Sequence, residues 1–278
     1  MSTFFLILRK HFLQGSILFF AGIGFILVLG YIAVSFGFTN TTGIIDTQTK
    51  TFISQKNSLE TYELFPLAHT PEWIAFRLAV AKDAPLIQKV SQETGVPPRI
   101  LVAILVPEQM RLFYTDRAIF KQFFGPLKIL GSQSQFSWGI FGIKDDTARE
   151  VESHLLDTSS PYYLGKPFEK SLTFTTPEID QERFTRITDD KNHLYSYRYA
   201  ALYIRQIETQ WKKAGFPITE NPAVLATLWN LGFSKSKPHK NPSSGGAAID
   251  IEGTTYSFGE LARAFYYSDE MVELFPRE

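Results

Sequence analysis

The sequence predicts a mostly α-helical protein with a single transmembrane helix ahead of its folded domain, and three observations carry that prediction. A predominantly apolar run extends from Ile17 to Phe38 with no Asp, Glu, Lys, Arg or His between Phe12 and Ile45. From Thr70 onward, paired helix-entry and helix-stop residues punctuate the chain, with apolar residues at helical spacing between them. Strand signals are confined to a short stretch near "AAIDIEGTTY".

Residues 17–38 are long enough, at about 1.5 Å per residue, to cross a hydrocarbon core of about 30 Å. Arg9 and Lys10 precede the run, whereas Asp46 and Lys50 follow at a distance. The positive-inside bias therefore places residues 1–16 in the cytoplasm and the rest of the chain outside the cytoplasmic membrane. A cleaved signal peptide ending at Ala33-Val34-Ser35 is the alternative, though signal h-regions are usually about 7 to 15 residues. Residues 39–70, rich in Thr, Ser, Asn and Gln, read as a polar stalk, and residues 71–278 as the folded domain.

In that domain "TPEWIAFRLAVAKDAPLIQKVSQETG" opens with a Thr cap and a proline at the first helical position. Trp73, Ile74, Leu78, Leu86, Ile87 and Val90 recur at helical spacing, and Pro85 marks a break. "TAREVESHLL" is helical. "YRYAALYIRQIETQWKKAG" carries the stripe Tyr199, Tyr203, Ile207 and Trp211 and stops at Gly215. "NPAVLATLWNLG" has Asn221 as cap and Gly232 as stop, and Ser257 and Glu260 stand at capping-box spacing. The segment 156–193 reads as loop or insertion, and 233–278 as a C-terminal extension.

Lys+Arg and Asp+Glu both total 28, so bulk charge recommends no nucleic-acid partner. With no cysteine the chain has no disulfide, thiolate zinc site or thiol nucleophile. The five histidines show no metal-ligand spacing, and no metal or cofactor is expected. Aromatic residues reach 15%, which suits either a thick core or a groove that stacks on sugar rings.

One carboxylate stands out. In "ETGVPPRILVAILVPEQMRLFY", Leu101, Ile104, Leu105 and Glu108 fall on one helix face, so Glu108 shares the side expected to be buried. Pro107 cannot donate to the carbonyl of Ala103, so the helix is expected to kink or finish there. Partial burial and the negative end of the helix dipole would both favour the protonated acid. Alternatively, Glu108 turns to solvent or pairs with Arg111.

Four blocks in order resemble the lytic transglycosylase domain of the goose-type lysozyme superfamily, glycoside hydrolase family 23. "GVPPRILVAILVPEQ" is similar to the family's "GVP-x-x-L-x-A-I" helix, which ends in the catalytic glutamate, here Glu108. "GIFGIKDDTA", Gly139 to Ala148, is similar to its "G-L-M-Q-hydrophobic-x-P-x-T-A" block. The helix with Tyr203 resembles its "G-A-x-Y-L" helix, and "LATLWNLG" its "A-Y-N-x-G" motif, with Trp229 and Asn230 at the tyrosine and asparagine. The resemblance spans roughly residues 94 to 232 and implies a lysozyme-like helical domain acting on peptidoglycan glycan strands.

It implies, further, that Glu108 protonates the bond between N-acetylmuramic acid and N-acetylglucosamine, then deprotonates the muramoyl 6-hydroxyl, leaving a 1,6-anhydro sugar. The implied substrate-binding residues are Gln109, Ser137, Trp138, Gly139, Tyr203, Trp229 and Asn230. Tyr203 and Trp138 have plain core packing as their alternative. Asp145 and Asp146 read more simply as acids at a helix N-terminus than as catalytic groups. Gln109, Gly142 and Trp229 depart from the family's serine, glutamine and tyrosine. Those departures motivate a non-catalytic glycan-binding or scaffold protein as an alternative, and a hydrolytic muramidase is the other.

Overall fold

The computed structural model describes residues 65–114 and 138–277. The proposed cytoplasmic segment, transmembrane run and most of the stalk lie outside the described residues, as does Ser137. Among the described residues no helix is long and apolar enough to cross a membrane.

The described chain is mostly α: α1 (Pro71–Thr94), α2 (Pro98–Tyr114), α3 (Asp145–Leu156), α4 (Ile179–Thr188), α5 (Leu194–Lys213), α6 (Pro222–Leu231) and α7 (Phe258–Tyr267). Just before α7 comes an antiparallel hairpin, β1 (Ala248–Ile251) and β2 (Thr254–Ser257), with Ala248 opposite Ser257. Glu252 and Gly253 at its turn both have positive φ, the twist that two-residue hairpins favour.

The expected caps are present. The Thr70 hydroxyl accepts from Trp73 N–H, Asn221 from Val224 N–H, and Ser257 and Glu260 close a reciprocal capping box. Three expectations need correction. Pro85 does not break α1, which runs through it, since the neighbouring packing holds the turn that lacks one hydrogen bond. Ile74 and Leu78 face solvent, and Phe76 and Val80 take the buried positions instead. The stalk stops short of residue 70, because Phe65 and Leu67 are buried in the core.

Helix α2 is the centre of the fold. It packs on α1, α6, α7 and β1, and 12 of its 17 residues are buried. Every residue from Pro98 to Glu108 is buried, so the single buried face expected from the spacing becomes burial on every side along this stretch. Each fully buried aliphatic side chain there contributes about 1.5–3 kcal/mol. The helix also passes through Pro107 to Tyr114 rather than ending at it.

Both regions read as accessory belong to the fold. In 156–193 lies α4, whose inward face carries the buried Arg183. Its guanidinium meets Glu152 at 2.5 Å and Asp180 at 2.7 Å, and Tyr199 O–H donates to Glu152. Asp145 is held by Arg149 at 2.8 Å, in keeping with its reading as a helix-terminal acid. In 233–278, α7 packs on α2 and α6, and Glu270 accepts from Trp73 Nε1 of α1.

The α1 to α5 contact includes a titratable clasp. His193 Nδ1 lies 2.7 Å from Asp83 Oδ2, and Tyr197 O–H donates to the same oxygen. The Asp83 bond holds His193 above its ordinary pKa. A raised folded-state value means the clasp stabilises fully below the unfolded pKa, about 6.5, and that stability is lost as pH rises through the folded-state pKa. Chemical denaturation of wild type and Asp83→Asn should therefore differ most at pH 5.5, the gap narrowing by pH 9. A pH-independent gap would show that His193 is not the group responsible.

Candidate functional site

The site is built outward from α2. Glu108 is 3% exposed, and its Oε1 accepts from Arg111 Nη2 at 2.5 Å, one helical turn on. Pairing with Arg111, one of the two alternatives to a free acid, is thus present, but on a buried carboxylate and not a solvated one. With α2 continuing to Tyr114, Glu108 is not at the helix end, and the dipole contribution expected from the sequence falls away. Burial and the guanidinium act on a carboxylate in opposite senses, the first disfavouring its charge and the second favouring it.

The next residue reaches across to the second block. Gln109 Nε2 donates to the carbonyl of Ile140, at the tip of a tight turn. Trp138 and Ile143 close that turn with two backbone bonds, at 2.6 and 2.9 Å, and Gly142 N–H donates to Gly139 O inside it. Gly139 and Gly142 both have positive φ. A Cβ on Gly139 would sit 2.3 Å from Ile187 O and 2.8 Å from Ser196 Oγ, so α4 and α5 press against its bare backbone. The same contact closes off Gly139 as a backbone surface for glycan on that side.

Phe141, at the turn's centre, links the remaining residues. Its ring centroid lies 5.5 Å from Tyr197 and 5.5 Å from Trp229, in edge-to-face geometry. Trp229 in turn packs 4.9 Å from Tyr203, and Tyr203 lies 4.3 Å from Phe233. Tyr203 takes the core alternative: it is 2% exposed, and its hydroxyl has no hydrogen-bond partner among the described residues. Burial, with Glu150 nearby, pushes that phenol above its ordinary pKa. Trp138 is likewise buried, edge-on to Phe184.

Asn230 faces elsewhere. Its side-chain oxygen accepts from Ala247 N–H at 2.8 Å, and a Cβ on Gly246 would come within 3.1 Å of it. Asn230 thereby ties the end of α6 to the strand-leading segment 245–247. The structure thus gathers Gln109, Trp138, Gly139, Tyr203 and Trp229 around Phe141, with Glu108 beside Gln109 on α2, and sets Asn230 apart.

Comparison with family models, curated proteins and solved structures finds no match.

Sequence reasoning missed three participants. Arg111 entered only as a possible ion pair, Phe141 was one apolar letter in a motif, and Ile140 matters through its carbonyl, which no side-chain pattern reports. Among the described residues no group of three or more His, Asp or Glu is placed to hold a metal ion.

Proposed function

We propose that this protein is a membrane-anchored peptidoglycan lytic transglycosylase with a lysozyme-like helical domain, and that Glu108 is its general acid and base. The single observation that carries the reading is a carboxylate buried in the central helix with its neighbour Gln109 bonded to the turn of the second block. A buried carboxylate is too costly to retain as a surface ornament. The motif order 94–232 supplies a substrate for its proton.

On this reading Glu108 donates a proton to the glycosidic oxygen as the bond to the muramoyl anomeric carbon breaks. The resulting carboxylate then removes the proton of the muramoyl 6-hydroxyl as that oxygen bonds to the anomeric carbon. The ion pair with Arg111 suits this second half, in which the group acts as carboxylate. The first half requires the guanidinium to release it when sugar enters. The anchor would place the domain on the outer side of the cytoplasmic membrane, next to its polymer.

A specific observation favours a second reading, a non-catalytic glycan-binding or scaffold protein. Arg111 already occupies the acid, and Tyr203 is spent on the core. The two separate on product chemistry. The full-length protein incubated with purified peptidoglycan is expected to release muropeptides with 1,6-anhydromuramoyl ends, detected by mass spectrometry. Reducing ends would mean a muramidase, and binding without release would mean a scaffold.

A further inference from the structure

We propose that Gln109 is a positioning residue of this site, whose amide fixes the Trp138–Ile143 turn against the helix that carries the acid. The proposal rests on the transglycosylase reading above and adds a role for the position at which the chain departs from the family's serine.

Glu108 and Gln109 are consecutive, so their Cα atoms are about 3.8 Å apart. A bond made by the Gln109 side chain therefore sets the turn's distance from the acid's own backbone with almost no slack. The bond goes to the carbonyl of Ile140, a group inside the turn that the turn's own backbone bonds leave over: Trp138, Gly139 and Ile143 pair among themselves and with Gly142. A serine here would be too short to cross the same gap.

The other fastenings of the turn hold it to different elements. Gly139 is wedged against Ile187 of α4 and Ser196 of α5, and Phe141 packs on Tyr197 of α5 and Trp229 of α6. Gln109 ties the turn to α2 through a directional polar bond. Without it, the acid and the aromatic cluster around Phe141 lose that directional tie, which apolar packing, being non-directional, does not replace. A sugar bridging the acid and the turn then meets a variable distance, and misplacement by about 1 Å can cost about 100-fold in rate.

The test is turnover of soluble peptidoglycan fragments by full-length wild type, Gln109→Leu and Gln109→Asn, with thermal unfolding recorded for each and rates expressed per folded molecule. Leucine keeps the bulk and removes the donor; asparagine keeps the amide and shortens its reach. The expected result is a kcat lowered about 10- to 100-fold in Gln109→Leu, with KM little changed and an intermediate loss in Gln109→Asn. A residue that only stabilises the fold would lower the unfolding temperature and leave kcat per folded molecule within about twofold, and that outcome overturns the proposal. If Gln109→Leu does not fold, Gln109→Asn decides alone by the same criterion. Wild type that releases no anhydro product overturns the transglycosylase reading itself, which is a different failure from active wild type with equally active variants.

Discussion

Replacing Arg99 by leucine is expected to cost about 4 kcal/mol or more of folding stability. Arg99 is fully buried in the first turn of α2, and among the described residues no carboxylate forms a salt bridge with it. Its guanidinium instead serves five backbone carbonyls of the C-terminal segment. Nε donates to Tyr266 O at 2.7 Å, Nη1 to Glu270 O at 3.1 Å and Phe275 O at 2.8 Å, and Nη2 to Phe265 O at 2.9 Å and Ser268 O at 2.6 Å. The carbonyls of Phe265, Tyr266 and Ser268 come from the last turn of α7 and its C-terminal cap, where helix carbonyls run short of i+4 donors, and Phe265 O accepts in addition from the Ser268 N–H.

Burial, with Arg277 nearby, lowers the Arg99 pKa to about 10, so the charge survives at neutral pH. Its face also packs over the Phe265 ring at 4.8 Å. Leucine would take a charged donor from all five carbonyls, of which Phe265 O keeps Ser268 N–H and Ser268 O keeps Arg277, and each buried acceptor left unpaired costs about 1–3 kcal/mol before relaxation. Lysine has three donors on a flexible stem and cannot reproduce the planar fork, so Arg99→Lys should recover only part of the loss. Urea denaturation of the three proteins checks the order wild type, Arg99→Lys, Arg99→Leu. Equal midpoints for wild type and Arg99→Leu would show that the C-terminal segment docks without this clamp.

Arg99 also shows where the sequence stopped being legible. Helix positions, caps and the hairpin follow from local rules, because a cap bond or a positive-φ turn is decided by residues three or four apart. The stripe Tyr199, Tyr203, Ile207 and Trp211 is buried as its spacing predicts. What hydropathy could not see are charges that belong indoors. Arg99 is the one charge in the apolar run "PPRILVAILV", and the carbonyls it serves lie 166 to 176 residues away, beyond any local pattern. Arg183 was less visible, since its compensating Glu152 and Asp180 come from α3 and from its own helix. Without them α4 lacks an apolar stripe and reads as loop.

The same distinction applies to the site. Glu108 stood out because a carboxylate on a buried face is a local contradiction. The turn that Gln109 holds depends on a carbonyl 31 residues away, and the loss of a groove position at Tyr203 depends on Phe233 and Trp229 packing against it. Long-range contacts of this kind leave no period in the sequence.

The largest expected effect on activity is that of Glu108→Gln, which should lower release of anhydromuropeptides by about 10²- to 10⁴-fold, the range general acid–base catalysis supplies. Glutamine keeps the shape and can still meet Arg111, so glycan binding should persist. Arg111→Met is the companion experiment. The guanidinium lies 2.5 Å from Glu108 Oε1, and an opposite charge held that close favours a carboxylate over its protonated acid. In an acid-catalysed first step, activity falls at high pH as the acid loses its proton. Removing Arg111 should therefore shift the alkaline limb of the pH–rate profile upward. A Glu108 whose proton plays no part gives profiles that coincide, and in that case Arg111 is a structural partner and the scaffold reading gains the ground that the transglycosylase reading loses. If the limb moves and Glu108→Gln is inactive, one carboxylate and one guanidinium account for both the dormant ion pair and the proton that cuts the glycan.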